Sequence, residues 1–362
     1  MWAFVIILVL AVALLQRHSL RHSLDNVRYD CAVSRVAVDP DEEFEIVTTV
    51  QNGGRLPVFF LRVQETLPGE IDLKGEGFRL RRDREVSRLI WSCYLMPRQR
   101  LARRVRASLP QRGRYFLRGA TLAGGDFLGL QENTLSVQLV REIVVLPRSA
   151  PRPAVDRLLG GLLGDRSVNR FMMEDPVLTL GFREYTGREP QKAISWPVSA
   201  RMGRLMVKKY DYTIEQTATV LLNVECDEEG RSPDPDRIEK CFSLARAVCE
   251  ALEERGVQYG FLTNATAAGA MGLWSSVADG LGAGHLYAIL EGLGRATYLR
   301  TEPFSVTLER AARRAGQGRT HIVVSPREKR LYGHGLSRLR ELSGQDVLVL
   351  TPGSGAEEEV GA

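Results

Sequence analysis

The sequence predicts an α+β multidomain protein: an N-terminal membrane helix, an Ig-like β-sandwich, then an α/β domain with a mostly parallel sheet. Three observations carry that prediction. The chain opens on an uninterrupted apolar run, continues in short alternating segments closed by turn residues, and ends in strands that alternate with helical periods. At 362 residues, 44% hydrophobic and 26% charged, it has the length and composition for two packed cores.

The apolar run is Trp2–Leu15, followed at once by Gln16, Arg17, His18, Arg21 and His22. As a helix it extends about 21 Å at about 1.5 Å per residue, short of a hydrocarbon core of about 30 Å. No Lys or Arg precedes it and no small-residue cleavage site follows, which argues against a secretory leader. We therefore expect an anchor helix over residues 1–16. The arginines after the run predict a single-pass protein of the cell membrane with its body in the cytoplasm. Five cysteines without paired spacing agree with a reducing compartment.

A β-sandwich is expected over residues 24–148. In FEIVTTVQNGG, Phe44, Ile46, Thr48 and Val50 share one face before an Asn-Gly turn, and LPVFFLRVQETLP resumes the strand pattern. The segment from Ala102 to Leu130 repeats it with glycines as punctuation, and VREIVVLP, Val140–Pro147, reads as the last strand. The net charge of +5 conceals a basic run: between Arg79 and Arg118 stand 13 arginines against Asp83 and Glu85. Few aromatics interleave with them, so the run reads as exposed strand faces rather than a nucleic-acid platform. Residues 149–181, with three prolines and two Leu-Leu pairs, read as a linker.

From 217 to 352 the period changes. TVLLNVE is a strand buried on both faces. After SPDPD, which offers an Asp cap and proline in the first turn, Ile238, Cys241, Phe242, Ala245, Val248, Cys249 and Leu252 recur at helical spacing until Gly256. VQYGFLTNA, THIVVSP and QDVLVLTP are further strands; GHLYAILEGLGRA, FSVTLERAARRA and LSRLRELS are further helices. Residues 353–362 form an acidic tail expected to be disordered.

Ligands of open α/β sheets sit at the carboxyl ends of the strands. Asn223, Glu225 and Asp227 follow the first strand at alternate positions, the spacing by which a hard cation such as Mg²⁺ is held, although the leading residue is an amide and an acidic solvated loop has the same pattern. There is no GxxxxGK[ST], HExxH, CxxC or GxSxG, and the five histidines form no local pair suited to a metal or a triad. A hydrolase would need His285 or His321 to meet a nucleophile in space.

The segment Phe182–Asp211, FREYTGREPQKAISWPVSARMGRLMVKKYD, resembles the signature of the bacterial domain-of-unknown-function 58 family. It matches at Arg183, Tyr185, Ile194, Trp196, Ser199, Ala200, Arg201, Leu205, Val207 and Lys208, and departs where the family's Gly-Asp pair becomes Arg188 and Glu189. Asp126, Phe127, Gly129 and Leu130 are similar to the family's Asp-Pro-Phe-Gly-Leu loop without its proline. The resemblance implies a membrane-anchored protein with a von Willebrand factor A-like domain, a scaffold or adaptor without catalytic residues. It also implies a MoxR-type AAA+ ATPase and a transglutaminase-like membrane protein as partners. No cofactor beyond a weakly indicated Mg²⁺ is expected, and the von Willebrand A metal motif is altered at Asn223, Glu225 and Asp227. Within the signature segment, 182–216, we expect Arg183, Tyr185, Glu189, Trp196, Ser199, Arg201 and Lys208 to form either an ion-paired brace between domains or a surface for a protein partner. A metal-dependent adhesion module is the alternative.

Overall fold

The computed structural model describes residues 24–83, 85–125, 132–153, 155, 174–186, 194–212, 217–226, 233–268 and 275–352. The chain divides into two compact units. The first comprises residues up to Ser149 with Thr266–Trp274 and Tyr287–Thr297; the second comprises Ala150–Ala265, Ser275–Leu286 and Tyr298 onward.

The first unit holds strands β1 (Val27–Val33), β2 (Ala37–Val38), β3 (Phe44–Asn52), β4 (Val58–Pro68), β5 (Asp72–Lys74), β6 (Arg79–Arg82), β7 (Val86–Leu95), β8 (Arg100–Ser108), β9 (Gly113–Leu117), β10 (Ala120–Gly125), β11 (Glu132–Val137) and β12 (Arg141–Val145). They form sheets ordered β1-β3-β8-β5, β11-β10-β4-β7-β6 and β2-β12-β9. All pairings are antiparallel except β2 with β12. Period-2 alternation sends Phe44, Ile46 and Val50 of β3, Leu61, Val63 and Leu67 of β4, and Leu89, Trp91 and Leu95 of β7 into one core. The Asn-Gly turn after β3 works through its side chain. Asn52 accepts from Gly54 N at 2.9 Å and donates to Leu56 O at 2.8 Å and Met96 O at 3.2 Å, tying the β3–β4 and β7–β8 loops together.

A later stretch of chain belongs to this first unit, which the sequence did not announce. Arg112 donates to the carbonyls of Leu293 and Ala296 at 2.7 and 2.6 Å, and Arg295 pairs with Glu142 at 2.6 Å. Gly294 permits the approach: a Cβ there would stand 2.5 Å from Val144 Cγ1 and 2.9 Å from Val145 O.

The second unit pairs β13 (Glu174–Glu184) with β14 (Met206–Tyr212), the short helix α1 (Trp196–Met202) lying between them in sequence. Its main sheet is ordered β18-β16-β15-β20-β21, with β15 (Thr217–Leu222), β16 (Gln258–Thr263), β18 (Ser276–Gly280), β20 (Thr320–Val324) and β21 (Val347–Leu350). β18 runs antiparallel at one edge, and the other neighbours pair in parallel. A separate two-stranded pair is made by β17 (Ala265–Ala267) and β19 (Ala296–Arg300). Four more helices follow in the chain: α2 (Pro235–Glu254), α3 (Ala283–Arg295, which from Tyr287 on belongs to the first unit), α4 (Phe304–Arg314) and α5 (Gly333–Ser343). Asp234 caps α2 by accepting from Arg237 N, and every apolar position read from its period is buried. α4 and α5 share a core with the sheet through Leu308, Leu336, Leu339, Leu221 and Val323.

Several expectations are corrected. The described residues are richer in strand than in helix and lie mostly in antiparallel sheets, so the fold is not the predicted α+β arrangement with a membrane helix and a von Willebrand A-like α/β domain. The sequence pattern missed β17, β18 and β19, which are too short to show a period and whose pairings make this part of the chain mixed rather than simply parallel. The anchor expected over residues 1–16 lies outside the described residues. Among the described residues no helix is long and apolar enough to cross a membrane, which overturns the single-pass, cytoplasm-facing localisation. Part of the expected linker, from Glu174 on, is strand β13. Leu158, Leu159, Leu162 and Leu163, the family-like loop from Asp126 to Leu130 and the acidic tail 353–362 lie outside the described residues.

Candidate functional site

Two places gather the residues that the sequence singled out. The first is the carboxyl end of β15, where the chain passes through Asn223, Val224 and Glu225 beside Asn264 after β16 and Ser325 after β20. Parallel strands bring these three ends together, and Asn223 extends the ladder by donating its N–H to Val324 O at 2.8 Å. Its buried amide spends every bond it has. Nδ2 donates to Ser325 Oγ at 3.0 Å and Tyr332 Oη at 2.9 Å, while Oδ1 accepts from Glu225 N at 2.9 Å and Asn264 Nδ2 at 3.0 Å. Asn264 Oδ1 in turn accepts from Val224 N at 3.0 Å. Burial, then the Glu225 charge, raises the Tyr332 phenol above its ordinary range, so it stays a hydroxyl.

Glu225 is buried and its two oxygens face opposite tasks. Oε1 accepts from Arg300 Nη1 at 2.7 Å, with Arg327 Nη1 at 3.6 Å, and Oε2 accepts from Phe304 N at 2.9 Å, the first N–H of α4. A carboxylate at a helix N-terminus satisfies an orphan donor and the positive end of the dipole. This network does not fit Mg²⁺. A hard cation needs several oxygen lone pairs aimed at one point; here Asn223 Oδ1 is spent on two N–H donors and Glu225 on guanidinium and helix N–H groups. Among the described residues no group of three or more His, Cys, Asp or Glu gathers, and Asp227 lies outside them. Asn264 and Ser325 stand at strand ends that the sequence exposes; Arg300, Arg327 and Tyr332 were missed because no spacing links them to Glu225.

The second place is the signature segment. Ser195 N donates to Met206 O at 2.8 Å, Ile194 bridges Val207, and Tyr185 N donates to Leu205 O at 2.9 Å. Ser199 locks α1 to β14: buried, it donates to Ser195 O at 2.9 Å and accepts from Met206 N at 2.8 Å. Pro197 sits in the first turn of α1, and Gly203, at φ 66°, ends it in the left-handed region. Trp196 is nevertheless 65% exposed, and Met202, Leu205, Phe182, Arg183, Arg201 and Arg204 are exposed as well. Tyr185 is half-buried. Arg204 pairs with Glu184 at 3.3 Å. Lys208 is placed by backbone register opposite Phe182, and Glu189 lies outside the described residues.

Among the described residues, neither His285 nor His321 has a hydrogen bond to a nucleophilic side chain. His285 Nε2 bonds Tyr259 O at 2.8 Å, and its ring meets the Tyr259 ring edge-on at 4.8 Å. His321 is buried, neither ring nitrogen has a hydrogen-bond partner, and burial with the nearby Arg319 charge pushes its pKa down to about 4. Cys31, Cys93, Cys241 and Cys249 are free thiols; burial raises Cys241 and Cys249 far above the reactive range.

No family model and no curated protein matches the chain. Among solved structures, a cohesin module of a Clostridium perfringens family 33 glycoside hydrolase is 16% identical, over 33% of this chain and 96% of that one, at a TM-score of 0.24. A non-cellulosomal cohesin from Archaeoglobus fulgidus is 10% identical, over 33% and 91%, at 0.24. The CARDB domain of a Pyrococcus furiosus protein is 15% identical, over 33% and 86%, at 0.20. At such scores these likenesses carry no argument about this chain.

Proposed function

We propose that the protein is a non-enzymatic scaffold or adaptor of the domain-of-unknown-function 58 type, and that it works with a MoxR-type AAA+ ATPase through the α1 surface. The observation that carries this reading is the exposure of Trp196 at the start of a helix that Ser199 ties to β14. A brace between domains asks for Trp196 and Arg201 to be buried; both are exposed, which fits docking. An exposed tryptophan in a segment that also exposes Met202, Leu205 and several arginines has the composition of a binding hot spot. The absence of a His–nucleophile hydrogen bond among the described residues and the consumption of Glu225 in ion pairs favour this reading over the hydrolase and metal-adhesion alternatives.

The full chain, immobilised, is titrated with the purified MoxR-type ATPase in its ATP-bound, ADP-bound and empty states. Saturable binding in at least one state is expected, weakened about 30-fold by Trp196→Ala, the loss of a hot-spot side chain worth about 2 kcal/mol. Absence of binding in all three states, or binding indifferent to Trp196→Ala, overturns the reading.

A further inference from the structure

One face of the main sheet in the second unit is only partly covered. α4 packs over β15 and β16, with α5 beside it, and between α4 and the edge strand β18 a cavity of about 610 Å³ remains open. Its base is formed by Gly260 and Leu262 of β16, and its walls by Val277 and Ala278 of β18 and by Ala311 and Arg314 of α4.

The base depends on glycine. A Cβ on Gly260 would stand 2.5 Å from Asp279 Oδ1, because the Asp279 carboxylate lies over the β16 backbone on its way to Arg319. Arg319, just before β20, grips Asp279 through both terminal nitrogens, one at 2.9 Å, and donates to Thr219 Oγ1 of β15 at 3.1 Å. This pair holds the Asp279 carboxyl well below the usual range and consumes the charge of the single acid lining the cavity. Arg314 is left on the exposed rim with no ion pair among the described residues. The site thus offers an apolar trough and a net positive charge, two guanidiniums, Arg314 and Arg319, against the one carboxylate of Asp279.

We propose that this cavity docks an acidic peptide segment of a protein partner, a carboxylate lying on Arg314 and the adjoining apolar side chain on Leu262, Val277 and Ala311. The inference rests on the reading of the protein as a partner-binding scaffold, and names the chemistry of a second contact on it. Charge complementarity selects the occupant: every acid lining the cavity is already paired, so an anionic segment gains a charge-assisted bond where a cationic one meets Arg314.

The test uses the full chain and a fluorescein-labelled peptide of alternating Glu and Leu, with a Gln-for-Glu peptide as its neutral counterpart, followed by anisotropy. Saturable binding of the acidic peptide is expected, at least tenfold tighter than the neutral one and weaker at high salt. Arg314→Glu, on an exposed rim, and Ala278→Trp, which fills the trough from the edge strand, should each weaken it at least tenfold. Trp196→Ala should leave peptide binding unchanged while it impairs ATPase binding, so the two readings fail separately. Circular dichroism confirms that each variant folds, and Arg314→Gln serves if Ala278→Trp does not. Equal affinity for both peptides, no saturable binding, indifference to Arg314→Glu, or loss with Trp196→Ala overturns the proposal.

Discussion

Glu65 gives the sandwich a sharply testable pH dependence. It occupies an inward position of β4 between Val63 and Leu67 and is 1% exposed. Trp91 Nε1 donates to Oε1 at 3.3 Å, while Oε2 has no hydrogen-bond partner. The nearest cation does not neutralise it: Arg103 lies over the Trp91 ring at 5.2 Å and the Phe78 ring at 5.5 Å, and spends its terminal nitrogens on Gly77 O and Glu76 O at 3.0 and 2.7 Å. Burial therefore raises the Glu65 pKa against the opposing pulls of Thr48, Trp91 and Arg103. A carboxyl raised in the folded state binds its proton more tightly than in the unfolded chain. Its contribution is fully present below the unfolded value of about 4.5 and is lost as pH rises to the folded value. The slope over that window is one proton, about 1.4 kcal/mol per pH unit. Glu65→Gln keeps the acceptor for Trp91 and removes the titration. The stability of wild type minus that of Glu65→Gln should fall along that slope from pH 4.5 upward and then level off, the variant being the more stable at neutral pH. Amide exchange of β4 peptides at increasing urea, read by mass spectrometry at half-unit steps of pH, isolates this unit from the other. A difference constant to within about 0.5 kcal/mol from pH 4.5 to 8 would refute the reasoning, because it would mean that Glu65 titrates alike in both states.

Two further expectations concern the second unit. Asn223→Leu removes the hub of the strand-end network and strands Ser325, Tyr332, Asn264 and Glu225 N, so denaturant unfolding should show a loss of about 3 kcal/mol or more; a loss under about 1 kcal/mol contradicts the hub. His321 has its pKa depressed to about 4 from an ordinary 6.5, so its neutral burial is fully stabilising above pH 6.5 and is lost as pH falls toward 4, about 3 kcal/mol in all. His321→Leu should flatten the acid limb of the stability curve for this unit, and an unchanged limb would show that the imidazole is not buried neutral.

How much of this was legible in the sequence depended on whether the signal was local. The alternation of Phe44, Ile46 and Val50 and the seven apolar positions of α2 needed only nearest neighbours, and the structure buries all of them. Glu65 was legible too: the same alternation that puts Leu61, Val63 and Leu67 inward puts a carboxyl among them, and an acid in phase with a buried face is a warning of a shifted pKa. What failed was long-range. β18 is an edge strand of five residues held by β16, and nothing in SVADG distinguishes it from a loop until its partner is known. The placement of Tyr287–Thr297 with the first unit likewise rests on Arg112, Glu142 and Gly294, each ordinary in its own neighbourhood.

At the candidate metal site, too, the partner of the acid lies far along the chain. Alternating oxygen-bearing residues after a buried strand specify only that acceptors face one another at a strand end; they do not specify the cation. Here the positive charge comes from Arg300, 75 residues beyond Glu225, and from Arg327 farther on. A guanidinium brings its own N–H donors and a fixed fork, so it satisfies directional lone pairs that a spherical ion would gather to a point. Once Glu225 must also receive the first N–H of α4, its second oxygen has no freedom to turn toward a shared centre. Arginine abundance is thus in part internal wiring: Arg112, from the basic run, and Arg295, Arg300 and Arg319 beyond it all hold distant segments in place, while Arg201 and Arg314 stand exposed.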